Sequence, residues 1–273
     1  MLERRRLLAF GSALLVFGAV ATASASPRCP SDMTAVGETC VDRFEASLVE
    51  IDERGHELGA WSAYVSPAGH IVKAVSRAGA VPQAHVSWYE ARAACMNAGK
   101  RLCKAEEWVS ACKGPDHTRY PYGDARVPHA CVDTGRTAPL SKLYPTAAMY
   151  SESAMNDPRL NQTPNTVART GEAAQCTNGY GVHDMVGNVH EWADDGAFHG
   201  GYYLDTRINR EGCDYVTTAH ARIYHDYSIG FRCCADGDAV AEEHAAISRD
   251  PEWYAKVAQI ALGVDFDDRI ATR

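Results

Sequence analysis

The stretch Asn178-Gly179-Tyr180-Gly181-Val182-His183-Asp184-Met185-Val186-Gly187-Asn188-Val189-His190-Glu191-Trp192 decides how this chain is read. Three glycines within its first ten residues mark turns rather than a helix. Asp184 and Glu191 supply carboxylate oxygens on either side of Gly187, and the turn between them can aim backbone carbonyls inward. Hard oxygen donors presented by a loop suit calcium far better than zinc or copper. The plainer reading has the two carboxylates capping turns and Trp192 in the core.

Upstream of this stretch, from residue 114 to 181, hydrophobic periodicity is absent and Pro, Gly, Asn and Asp recur, as in Asn156-Asp157-Pro158. A loop of that length in a compact domain calls for cross-links or bound ions. Two helices precede it. Ser87-Trp88-Tyr89-Glu90 has capping-box spacing, Ala91, Ala94, Cys95 and Ala98 continue an apolar stripe, and Gly99 ends it. The second helix runs from about 105 to 112, with Trp108 and Cys112 on one face. Residues 29–85 read as short strands and turns, with Cys29 and Cys40 placed to staple a hairpin. Further short strands are expected at 201–204, 219–224 and 230–234. The segment 237–273 is an acidic extension with two helices separated by Asp250-Pro251. No internal repeat is visible.

The ends and the composition bound the class. Arg4, Arg5 and Arg6, the apolar run 7–21 and Ala23-Ser24-Ala25 form a signal peptide over residues 1–25. The run is shorter than the roughly 20 residues that cross a bilayer, so no permanent membrane span is expected after cleavage. With 46% hydrophobic and 23% charged residues the chain can bury a core. A net charge of −8 excludes a nucleic-acid footprint. Ten cysteines, an even number, suit a disulfide-stabilised exported protein, periplasmic or secreted.

Several blocks now line up. Val86-Ser87-Trp88-Tyr89-Glu90-Ala91, Gly99-Lys100-Arg101-Leu102, Glu106-Glu107-Trp108, Tyr120-Pro121-Tyr122-Gly123-Asp124, the 178–192 stretch, Gly200-Gly201-Tyr202-Tyr203 and Gly230-Phe231-Arg232-Cys233 follow in order. Together they resemble the formylglycine-generating enzyme, or sulfatase-modifying factor, family. The resemblance implies one α+β domain over residues 26–236, C-type-lectin-like, low in regular secondary structure and disulfide-stabilised. It also implies a structural calcium held by Asp184, the carbonyls of Gly187 and Val189, and Glu191, and a Cys112–Cys233 disulfide. Cys95 and Cys103 are candidates to pair, and spacing leaves the remaining connectivity open.

The same resemblance bears on chemistry. Family enzymes hold copper(I) between two thiolates and oxidise a substrate cysteine to formylglycine. Here Asp205 stands at the first cysteine position and Tyr202 replaces a small hydroxyl residue. Cys213, a few residues on, is the one weak candidate for a catalytic thiol. Copper and the family's namesake activity are therefore not expected. His190, His199, His220 and His225, near Glu191, Asp194 and Asp195, offer a lesser alternative as an iron or zinc set, though no HxH or HExxH spacing fixes two of them on one element. His190 also stands where the family usually has an aromatic residue. Two functions remain: a divergent oxidoreductase acting on a peptide or metabolite, as periplasmic relatives linked to siderophore maturation suggest, or a non-catalytic, calcium-stabilised peptide- or glycan-binding module. Tyr202, Tyr203, Tyr215, Tyr224 and Tyr227 are candidates to line the groove of such a module, with at least half of them expected to be core packing instead.

Overall fold

The computed structural model describes residues 28–205 and 210–237. The expected signal peptide over residues 1–25 and the expected acidic extension beyond 237 lie outside the described residues. Strands β1 (Met33–Val36) and β2 (Thr39–Asp42) form a hairpin, followed by β3 (Ala46–Ile51), β4 (Glu57–Ala60) and β5 (Val72–Ser76). Helix α1 (Trp88–Asn97), β6 (Arg101–Leu102) and α2 (Ala105–Lys113) come next. Three short helices, α3 (Pro139–Leu143), α4 (Glu152–Met155) and α5 (Arg159–Gln162), interrupt the long loop. The chain closes with β7 (His190–Trp192), β8 (Phe198–His199), a 3-10 turn at Gly212–Asp214, β9 (Val216–Thr217), β10 (Ile229–Phe231) and β11 (Cys233–Asp236). The expected strands at 201–204 and 219–224 are turns and loop instead, whereas 230–234 is strand apart from Arg232.

Three small sheets result. β1-β2-β11-β6 joins the first hairpin to the last strand, β10-β7-β8-β9 carries the quoted stretch, and β4-β3-β5 stands apart. β7 and β10 run parallel, and the other pairings are antiparallel. The α1 capping box forms as the sequence dictates: Ser87 N–H donates to Glu90 Oε2 at 2.7 Å and Glu90 N–H to Ser87 Oγ at 3.4 Å. One core cluster packs α1 against β3, β5, β7 and β10 through Trp88, Tyr89, Trp192, Ile229 and Phe231. A second surrounds Trp108 and Met185, and a third holds Leu160, Tyr203 and Tyr227 beneath the loop helices.

All ten cysteines are paired: Cys29–Cys40, Cys95–Cys233, Cys103–Cys234, Cys112–Cys213 and Cys131–Cys176. The hairpin staple is as expected. The Cys112–Cys233 and Cys95–Cys103 pairings are corrected, and strand geometry gives the reason. Consecutive side chains of a strand point to opposite faces, so on β11 Cys233 enters the α1 cluster while Cys234 enters the Trp108 cluster. Cys112 belongs to that second cluster and meets the 3-10 turn carrying Cys213. The Cys131–Cys176 bridge ties the middle of the long loop to the start of the quoted stretch.

Candidate functional site

β7 places His190 and Glu191 side by side in sequence, and the same alternation sends them to different surroundings. Glu191 is buried in an ionic node. Its Oε1 accepts from Arg232 Nη2 and its Oε2 from Arg232 Nε, each at 2.6 Å. Trp108 Nε1 also donates to Oε2 at 2.6 Å. Arg232 donates further to the carbonyls of Asp42 and His183, so the guanidinium fork is filled. Beside this pair lie two more buried carboxylates, Asp184 and Glu45. Asp184 Oδ2 accepts from the Gly171 amide at 2.6 Å, while its Oδ1 is buried without a hydrogen-bond partner. Glu45 accepts from Asn188 Nδ2 at 2.7 Å and from the Val189 amide at 3.3 Å.

Three carboxylates thus face one guanidinium. Burial, reinforced by the charges of Asp184 and Glu191, pushes the Glu45 carboxyl well above the usual range. Burial likewise raises Asp184 to about 6. Gly187, at φ +84, is required here because a Cβ would stand 2.3 Å from the Val132 carbonyl oxygen. Asp184 and Glu191 interact within this node and the Val189 amide borders it through Glu45, whereas Gly187 packs on the Val132 backbone. Sequence reading missed Glu45 and the partnership of Arg232 with Glu191. The available signal was a lone charged residue in each of two strand-like apolar runs.

His190 enters an aromatic node. Its ring lies 5.2 Å from Tyr202, 5.5 Å from Phe198 and 5.7 Å from Tyr215, centroid to centroid. Nε2 is 3.4 Å from Asp205 Oδ2, which accepts from Tyr215 OH at 2.7 Å. Burial depresses the imidazole to about 4, so His190 is neutral. Cys213 is buried and bonded to Cys112, and offers no thiolate. His199 lies against Trp108, and His220 stacks on Tyr224. Among the described residues, no three His, Cys, Asp or Glu side chains converge as metal ligands, so the four histidines do not share a centre.

Next to this node opens a cavity of about 600 Å³ lined by Tyr89, Tyr150, Glu152, Met155, Asn156, His220, Ile223, Tyr224 and His225, among others. Its size suits a small ligand or a peptide side chain. Of the five tyrosines weighed for a groove, Tyr224 lines the cavity, and most of the others are core, as expected for at least half of them. Tyr203, Tyr215 and Tyr227 are core residues, and Tyr202 packs on His190 and Tyr227. The exposed wall is Tyr150, which sequence reading did not single out.

Residues 43–236 match the Sulfatase-modifying factor enzyme 1-like domain family. The chain belongs to that family. Its α+β architecture, with three small sheets, few short helices and five disulfides among the described residues, agrees with the reading of the sequence. It is 29% identical over 176 residues to a formylglycine-generating enzyme of Thermomonospora curvata, covering 59% of this chain and 52% of that protein. It is 28% identical over 170 residues to the inactive C-alpha-formylglycine-generating enzyme 2 of Bos taurus, covering 56% and 50%. The chain thus spans about half the length of these curated relatives. Among solved structures, that of CarF aligns at 15% identity with a TM-score of 0.44, covering 78% of this chain and 96% of that one. Five disulfides are compatible with an oxidising compartment, and no described helix is long and apolar enough to cross a membrane.

Proposed function

We propose that this sulfatase-modifying-factor domain is an exported binding module, cleaved after residue 25, that has lost thiol-based oxidation and uses the Tyr150–Tyr224 cavity to hold a peptide or metabolite. The Cys112–Cys213 disulfide carries the reading. It ties the only cysteine near Asp205 into the core, and the other eight cysteines are paired as well. Copper(I) prefers soft thiolates, and the Asp205 carboxylate is a hard donor already bonded to Tyr215. The test is to incubate the mature protein with copper(I), oxygen and a cysteine-containing sulfatase-motif peptide. No aldehyde is expected by mass spectrometry; turnover would restore the oxidoreductase reading.

Calcium is the proposed structural ion. The donor chemistry fits it: hard oxygens only, with Asp184 Oδ1 buried and unpartnered and three buried carboxylates beside the single Arg232 guanidinium. Asp184 through its free Oδ1 and the carbonyls of Gly187 and Val189 would hold the ion, with Glu191 sharing oxygens that also accept from Arg232 and Trp108. The ion's charge would favour the ionised form of these buried carboxylates. Chelation should lower the melting temperature by several degrees, and calcium should restore it. An unchanged melt with no calcium by elemental analysis removes the ion from this account.

A further inference from the structure

The hydrogen bonds at the edge of the cavity fix what its histidine can offer. Asn156, just after α4, donates through Nδ2 to the carbonyls of Glu152 at 3.1 Å and His225 at 3.2 Å. With the amide nitrogen held by two acceptors, Oδ1 is the end that meets the imidazoles. It lies 2.8 Å from His225 Nδ1 and 3.3 Å from His85 Nδ1. A carboxamide oxygen only accepts, so both Nδ1 atoms carry the hydrogen. In a neutral ring this leaves Nε2 as a bare acceptor. His85 is buried and does not line the cavity; burial lowers its imidazole to about 4 and keeps it neutral. His225 is half-buried and does line the cavity, so the nitrogen it retains for a ligand is an acceptor.

The remaining lining has the same sense. Glu152 adds an exposed carboxylate, and no lysine or arginine lines the cavity among the described residues. The carboxylate of Glu90 is engaged by Ser87 and Ser66 and is not the one on offer. The apolar surface is supplied by Tyr150, 77% exposed, and by Tyr224 with His220 stacked on it at 4.1 Å. Acceptors and aromatic faces without a cation favour an N–H donor with positive charge and an apolar body.

We propose that the cavity binds an alkylammonium group on an apolar body, with His225 Nε2 and Glu152 accepting its N–H groups and Tyr150 and Tyr224 covering its apolar part. This rests on the binding-module reading and names its ligand class. The experiment is calorimetric titration of the mature protein at pH 7.5 with 2-phenylethylammonium and with 3-phenylpropionate, in parallel with His225→Phe, Glu152→Gln and Tyr150→Ala. Saturable binding of the cation is expected, with the anion about tenfold weaker or more, the equivalent of one charge-assisted hydrogen bond. His225→Phe should weaken the cation about tenfold, Glu152→Gln about threefold, and Tyr150→Ala both probes. Glu152 and Tyr150 are exposed, so their variants test the site even if His225→Phe folds poorly. Equal affinity for the anion overturns the ligand class and leaves the binding module standing. Cation binding indifferent to all three substitutions overturns the site. No saturation by either probe overturns both the ligand class and the cavity's role in the module.

Discussion

His190 and Glu191 are consecutive on β7, yet their side chains meet opposite kinds of chemistry. On the Glu191 face, three carboxylates, one guanidinium and the Trp108 indole are buried together, and the Trp108 and Arg232 nitrogens all donate to acceptors. On the His190 face, rings pack at van der Waals distances around a neutral imidazole whose Nδ1 has no partner. The ionic face is intolerant because removing one buried charge strands the others. The aromatic face is tolerant because shape and volume are what it demands. Tyr202 and Asp205, the two positions that the family resemblance marks as departures, lie on the tolerant side. Change there can alter chemistry without dismantling the fold.

The comparison breaks most visibly at Arg232. Arg232→Met strands Glu191, with Asp184 and Glu45 beside it, and should cost about 3–5 kcal/mol in urea unfolding at pH 7. A loss below about 1 kcal/mol would show that the carboxylates are neutralised some other way.

Acid sharpens the contrast from the histidine side. His85 has an ordinary value of 6.5 and is held at about 4 in the folded protein by burial. Its contribution to stability is complete above pH 6.5 and is lost as pH falls through 4, because the unfolded chain takes up the proton first. Over that window wild type should lose about 3 kcal/mol from this group. His85→Asn, which tolerates the φ of +56 at this position, should show a correspondingly shallower acid limb in chemical unfolding between pH 7 and 4. Parallel limbs for the two proteins would locate the acid sensitivity elsewhere.

The smallest effect belongs to the aromatic node. His190→Phe exchanges one ring for another among Phe198, Tyr202 and Tyr215 and should change stability by less than about 1.5 kcal/mol. A loss comparable to that of Arg232→Met would mean that the histidine's polar atoms, and not its volume, hold this face.

The sequence by itself determined much of this protein. Local chemistry sets the Ser87–Glu90 capping box, the stop at Gly99, the α2 face bearing Trp108 and Cys112, and the Cys29–Cys40 hairpin, since each depends on neighbours within a few residues. The ordered blocks from Val86 to Cys233 sufficed to place the chain in its family, because a fold with little regular structure must spend specific residues on turns and buried carboxylates. Only the tertiary structure decided the rest. Which face of β11 Cys233 and Cys234 occupy, and hence that Cys112 bonds Cys213, depends on strand register, and spacing does not encode register. That Arg232 meets Glu191 across 41 residues, and Asn156 meets His225 across 69, depends on the parallel pairing of β7 with β10 and on the path of the long loop. Tyrosines that look alike in sequence divide into core and cavity wall for the same reason. A side chain's environment is set by the elements that close over it, and those come from distant parts of the chain.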